Sequence, residues 1–284
     1  MTLERIFNKF GINVLNKEII RDRARKIYKI ITDSGEVLIL KKVETPNRAE
    51  REFNNLKKAH ELLTPQRVPK VKGVFESYIL LEYIDGKKLP KDNENLMKKS
   101  LDYLACLHSR KHDNYPYENH YFGKELLNRL EQEKTYFYKT SFFSQFEENF
   151  LKILERARQA AKDREYKVIG HGDFQIGNIL VDQNLKIVPI DWIDFGFVLR
   201  WYDLGTLLYW QSRENFKELV EYYLKLIRFK TTFLEAIMAK CLATTFVIQT
   251  GSHFRAVVES RTNFVREVKN HFEYIDREFP ELFK

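Results

Sequence analysis

The stretch His171-Gly172-Asp173-Phe174-Gln175-Ile176-Gly177-Asn178, with Asp191 closing an apolar run thirteen residues after Asn178, most narrows what this chain can fold into. It fits the pattern H-x-D-x-x-x-x-N, which a chain with 7 His, 13 Asp and 17 Asn would produce by chance about 0.02 times. The flanking residues predict a local geometry. Asn178-Ile179-Leu180-Val181 reads as a strand, Asp182-Gln183-Asn184 as a turn and Lys186-Ile187-Val188-Pro189-Ile190 as a return strand. Two strands joined by a tight turn lie side by side, so Asn178 and Asp191 come to the same end of the hairpin. Taken singly, Asp173 could be a turn or cap residue and Asn178 a strand-initiating one; the spacing of all three argues against that.

A carboxylate beside a loop, with an amide oxygen and a second carboxylate on the adjoining hairpin, suits phosphoryl transfer. That reaction needs a group to orient and deprotonate an attacking hydroxyl. It also needs hard oxygen donors that hold magnesium against phosphates while charge builds. The segment resembles the catalytic and metal-binding stretch of the aminoglycoside phosphotransferase and choline kinase family, within the protein-kinase-like superfamily. The resemblance covers most of the chain and implies an α+β, bilobal protein-kinase-like fold. It assigns Asp173 as the catalytic aspartate and Asn178 and Asp191 as metal ligands, with ATP and Mg2+ as cofactors. By the same resemblance Asp203, in Asp203-Leu204-Gly205, braces the catalytic loop, and His171 orders that loop through hydrogen bonds.

The remaining parts of such a site are expected upstream. Val14 to Val43 reads as three short strands, broken at Arg21-Asp22-Arg23 and at Thr32-Asp33-Ser34-Gly35. Lys41, ending the apolar run Val37-Leu38-Ile39-Leu40, resembles the phosphate-pairing lysine of kinases, whereas Lys42 falls on the opposite strand face. Helical spacing of Phe53, Leu56, Ala59, Leu62 and Leu63 predicts a helix from Asn47 to Leu63. Glu52 on it is the expected partner of Lys41, with Glu50 as the alternative. Glu82-Tyr83-Ile84-Asp85-Gly86, after the strand that begins at Tyr78, resembles the hinge whose backbone at Glu82 and Ile84 pairs with adenine. Beyond it long helical patterns take over, at Asn93–Ser109, Glu118–Tyr138, Ser144–Tyr166 and from Asp203 onward. The chain therefore divides into a nucleotide-binding lobe, 1–84, and a helical lobe, 85–284, that carries the catalytic loop and acceptor site.

Three departures from kinases shape the functional reading. The turn expected to cover the phosphates, Ile20-Arg21-Asp22-Arg23-Ala24-Arg25-Lys26, contains no glycine, and its simplest reading is a solvated basic loop, with arginine clamps as the alternative. Gly172 stands where phosphorylation-switched kinases carry arginine. Asp191-Trp192-Ile193 replaces Asp-Phe-Gly, and no Ala-Pro-Glu follows. The last two features favour a small-molecule kinase over a regulated protein kinase. The aromatics Trp201, Tyr202, Tyr209 and Trp210 could cage a quaternary ammonium, but at helix-like spacing packing is the simpler account.

Charge and composition limit the alternatives. The net charge of +8 resides wholly in residues 1–100, which hold 22 Lys and Arg against 14 Asp and Glu, so the excess fits polyphosphate as well as nucleic acid. A nucleic-acid partner is therefore not expected. Two cysteines, Cys106 and Cys241, make no disulfide framework or metal ribbon, and neither a signal peptide nor a membrane-spanning run is present, which fits the cytoplasm. The expected function is ATP-dependent phosphorylation of a hydroxyl on a small molecule such as a sugar, amino alcohol or aminoglycoside. Two rivals have specific support. A kinase-fold binding or assembly protein, like the spore-coat-associated relatives that the Tyr28–Gly35 hairpin resembles, would explain the glycine-free turn. An RNA- or protein-associated kinase would explain the basic N-terminal third.

Overall fold

Alternating apolar residues in the first 90 positions build strands, and the faces they create decide where the functional side chains point. The computed structural model describes residues 2–22, 25–63, 68–110, 167–199, 202–208, 211, 213–227 and 277. The chain packs as two units, one formed by Met1–Pro90 with Ile176–Phe195 and the other by Lys91–Gln175 with Gly196–Lys284.

The first unit opens with α1 (Leu3–Phe10), followed by β1 (Val14–Arg21), β2 (Ile27–Thr32), β3 (Val37–Lys42), α2 (Pro46–Leu63), β4 (Val71–Phe75), β5 (Tyr78–Glu82) and β6 (Gly86–Lys88). Five strands make an antiparallel sheet in the order β1-β2-β3-β5-β4. Tyr28, Ile30, Leu38, Leu40, Tyr78 and Leu80 point to one face and pack with Ile6 and Phe7 of α1. The opposite face carries Ile79, which packs with Val43 and with Ala49 of α2. Because side chains alternate, Lys41, paired with Ile79, projects to the α2 face while Leu40 turns toward α1.

The return of residues 176–195 to this unit adds β8 (Ile179–Asp182) and β9 (Ile187–Pro189), numbered after β7 (Lys167–Gly170) of the other unit. They join β6 in a three-stranded sheet, β6-β8-β9. Asp182 makes the connecting turn by accepting from the backbone N–H groups of Asn184 and Lys186, both at 2.9 Å.

In the second unit, α3 (Glu94–His108) starts at the N-cap Asn93, whose side chain accepts from the Leu96 N–H at 3.0 Å. β7 pairs antiparallel with β10 (Gly196–Leu199), and α4 (Tyr202–Leu208) and α5 (Arg213–Leu226) follow. Among the described residues no helix is long and apolar enough to cross a membrane.

The strands at Val14–Val43, the helix ending at Leu63, the strand from Tyr78, the helix at Asn93–Ser109 and the hairpin after Asn178 all lie where the sequence puts them. Four elements escape the pattern. In α1 the charged residues lie opposite Leu3, Ile6, Phe7 and Phe10, and Gly11 ends it in a left-handed turn (φ 65°), with Ile12 N–H donating back to the Phe7 carbonyl at 3.1 Å. In β4 the apolar run is broken at Gly73, where a Cβ would come within 3.0 Å of the Phe10 ring. β6 and β10, of three and four residues, are not among the expected strands either. The helical patterns expected over Glu118–Tyr138 and Ser144–Tyr166 lie outside the described residues, as do Trp201, Tyr209 and Trp210; Tyr202 is buried at the start of α4.

Candidate active site

On the α2 face of the first unit, Lys41 is 6% exposed and Glu52 1%. The Lys41 ammonium donates to both Glu52 carboxylate oxygens at 2.7 Å and to Asp191 Oδ1 at 2.8 Å. Burial opposes the Lys41 charge, but Asp191 and Glu52 outweigh it and hold its pKa above the ordinary lysine value. Burial raises the Glu52 pKa against the pull of Lys41, with Asp191 adding to the rise. Lys42 projects to the other face, 5.8 Å from the Tyr78 ring, and Glu50 is exposed.

Asp191 sits in the left-handed region at φ 67°, ψ 61°, where aspartate is one of the few non-glycine residues tolerated. The conformation turns the chain from β9 into a short 3-10 turn, Trp192–Asp194. That turn is fixed by Asn55 of α2, whose side-chain amide donates to the carbonyls of Trp192 and Ile193 at 3.0 and 2.9 Å. Asn178 ends another 3-10 turn, Ile176–Asn178, and its carbonyl accepts from Ile190 N–H at 2.8 Å. The strand pairing Ile179 with Pro189 thus sets Asn178 and Asp191 at one end of the hairpin. Lys88 of β6 donates to the Gly177 carbonyl, and burial lowers its pKa.

An amide oxygen and a carboxylate at that end are hard donors of the kind magnesium takes. The described residues contain no group of three or more His, Cys, Asp or Glu that could cage an ion by themselves. The pair is of the donor type that a magnesium site would use, with phosphate and water left to complete it.

Arg25, in the glycine-free turn, is not solvated as the sequence suggests. Its Nη1 donates to Asp191 Oδ2 at 3.2 Å and its Nε to Glu44 at 2.8 Å. Glu82 lies at the end of β5, and its side chain accepts from Lys70 N–H at 3.0 Å. Ile84 is buried two residues past the last β3–β5 pair, Leu38 with Glu82.

In the second unit the loop after β7 is organised by Asp203, fully buried at the start of α4. Its carboxylate accepts from His171 N–H at 2.6 Å and Gly172 N–H at 2.9 Å, and His108 Nε2 lies 3.5 Å away. Gly172 is at φ 86°, so a side chain there would be strained. Gly170 is also required: a Cβ would collide with Val198 and with the Asp203 carboxylate. His171 Nδ1 accepts from Asp173 N–H at 3.3 Å, and Phe174 packs against the His171 and Tyr103 rings. The Asp173 carboxylate is partly exposed and is held by the Gln175 side-chain amide at 2.9 and 3.1 Å.

Sequence reasoning missed Asn55, His108 and Gln175, and reached Arg25 only through the alternative of arginine clamps in the turn. Gln175 lies inside the motif and could have been found there; Asn55 and His108 carry no local signal, because their partners are more than ninety residues away.

Residues 17–234 match the model of the phosphotransferase enzyme family. The chain belongs to that family. No curated protein matches it in sequence. Among solved structures it is similar to macrolide 2′-phosphotransferase type I, at 16% identity over 95% of each chain with a TM-score of 0.66. It is equally similar to a choline/ethanolamine kinase family protein from Mesorhizobium loti, at 16% identity over 99% of this chain and 97% of that one, TM-score 0.66. A streptomycin–ATP–APH(2″)-IIa ternary complex matches at 16% identity over 87% of each chain, TM-score 0.63. The fold of this family member is accordingly kinase-like and α+β, with an antiparallel sheet in its N-terminal part.

One further carboxyl in the first unit titrates in an accessible range. Burial pushes Asp194 up to about 6, Arg51 at 3.4 Å pulls it down, and Asp191 adds to the rise. An acid whose pKa is raised by folding contributes stability fully below its unfolded value, near 3.8, and loses that contribution as pH rises through about 6. In metal-free protein, Asp194→Asn is therefore expected to gain melting temperature relative to wild type as pH climbs from 4 to 7, the full span amounting to about 3 kcal/mol. A difference in melting temperature that stays flat with pH would contradict this.

Proposed function

We propose that this phosphotransferase transfers the γ-phosphoryl group of ATP to a hydroxyl of a small molecule, in the cytoplasm. Residues 1–84 serve as the nucleotide-binding lobe and 85–284 as the lobe that takes the acceptor. The observation that carries the reading is the buried Lys41–Glu52 pair joined to Asp191, which fixes an ammonium beside a carboxylate on a hairpin end shared with Asn178. Burying a charged cluster carries a desolvation cost that well-packed apolar residues would avoid, and an ammonium fixed in place by carboxylates is suited to receive phosphate oxygens.

The roles follow from chemistry. Lys41, oriented by Glu52, binds the ATP phosphates. Asn178 and Asp191 offer oxygen donors to magnesium, which when bound neutralises phosphate charge. Asp173, steadied by Gln175, orients the acceptor hydroxyl and accepts its proton. The loop bearing Asp173 keeps its shape through His171 and through the two N–H groups that Asp203 accepts. The backbone at Glu82 and Ile84 pairs with adenine.

Similarity to a macrolide 2′-phosphotransferase and to a choline/ethanolamine kinase family protein supports an alcohol acceptor, and similarity to the streptomycin–ATP complex supports ATP as donor. The test is to titrate ATP into the protein with magnesium and with EDTA, then to assay ADP release across sugars, amino alcohols, aminoglycosides and macrolides. Binding that needs magnesium, and ADP release that needs one class of acceptor, is the expected outcome. Binding to RNA without ATP turnover would favour the basic N-terminal third as a nucleic-acid surface instead.

A further inference from the structure

The two oxygens of the Asp191 carboxylate hold two different cations, Lys41 on Oδ1 at 2.8 Å and Arg25 on Oδ2 at 3.2 Å. Glu44 accepts from Arg25 Nε at 2.8 Å and also pairs with Arg48 at 3.3 Å. Three cations and three carboxylates (Arg25, Lys41, Arg48, Glu44, Glu52 and Asp191) thus balance one another. Adding a divalent cation at Asp191 upsets that balance unless one of the fixed cations moves away. Lys41 is tied to Glu52 by both carboxylate oxygens, whereas Arg25 has a single bond to Asp191 and a separate anchor at Glu44.

We infer that Arg25 is a nucleotide-coupled counter-ion, which neutralises Asp191 until metal and nucleotide bind and then moves to the phosphate chain. This rests on the reading of Lys41, Asn178 and Asp191 as a metal–nucleotide site. It assigns a use to the glycine-free turn. A planar guanidinium supplies several charge-assisted donors to phosphate oxygens, the task that close-approaching backbone amides perform in a glycine-rich loop. Two consequences follow. Nucleotide binding loses a donor when Arg25 is removed, and divalent metal without nucleotide binds more tightly because its competitor at Asp191 has gone.

The experiment uses the full chain and measures binding, not turnover. ATP with magnesium is titrated calorimetrically into wild type, Arg25→Gln and Arg25→Lys, and Mn2+ alone is titrated by electron paramagnetic resonance. Arg25→Gln is expected to weaken ATP at least about tenfold, a loss typical of one charge-assisted hydrogen bond, and to tighten Mn2+ alone several-fold; Arg25→Lys should fall between. Glu44→Gln, which keeps the guanidinium and removes its anchor, should weaken ATP by a smaller factor, and it carries the test if Arg25→Gln melts prematurely. Unchanged ATP affinity in the Arg25 variants, or in Glu44→Gln standing in for them, would overturn the inference while leaving the site reading intact. Failure of wild type to bind ATP in the presence of magnesium would overturn both.

Discussion

Asp173→Asn is expected to lower turnover about a thousandfold or more, the scale of losing a positioned general base, while ATP affinity stays within about twofold of wild type. Asparagine is nearly the same size as aspartate, and Asp173 reaches the rest of its loop through its own N–H to His171 and through Gln175. The loop shape is set elsewhere, by the two N–H groups that Asp203 accepts and by Gly172 at φ 86°. The substitution should therefore remove the proton acceptor and little else. The groups proposed to hold the nucleotide, Lys41, Asn178 and Asp191, are untouched. Turnover close to wild type in the purified variant would show that the hydroxyl gives up its proton without Asp173.

Lys41→Met is expected to act first on folding. It leaves Glu52, 1% exposed, without its ammonium, and strips Asp191 Oδ1 of its nearest cation. Breaking a buried pair from one side costs about 3–5 kcal/mol, because the remaining carboxylate is neither hydrated nor paired. Chemical denaturation should show that loss at pH 8 and a smaller one at pH 5. Burial already raises the Glu52 pKa, and removing Lys41 raises it further, so acid lets the orphaned group fold as a neutral carboxylic acid. Adding Glu52→Gln to Lys41→Met should recover part of the loss, since the double variant buries no unpaired Glu52 charge. A double variant as unstable as the two single effects summed would mean that the pair is not coupled as its geometry implies.

Much of this was legible in the sequence because the decisive signals are local. The turn at Asp182 and the short strands beside it place Asn178 and Asp191 from a stretch of fourteen residues. The side chain of Lys41 faces α2 because strand residues alternate, which separates it from Lys42 without knowledge of the partner. Other features are the product of long-range packing. Nothing near Asn55 announces that its amide will hold the Trp192 and Ile193 carbonyls, and nothing near Gly73 reveals Phe10 lying on it. In the sequence Arg25 is one basic residue among several in a turn. Its distinction comes from Glu44 and Asp191, carboxylates 19 and 166 residues away in sequence.

The measurement closest to the heart of this account is the heat of ATP binding to the unmodified protein in magnesium and again in EDTA. A single saturable site that disappears when the metal is chelated is the predicted result. Heats indistinguishable from buffer dilution in both conditions would contradict it, leaving Lys41, Asn178 and Asp191 as structural residues of a kinase-like fold.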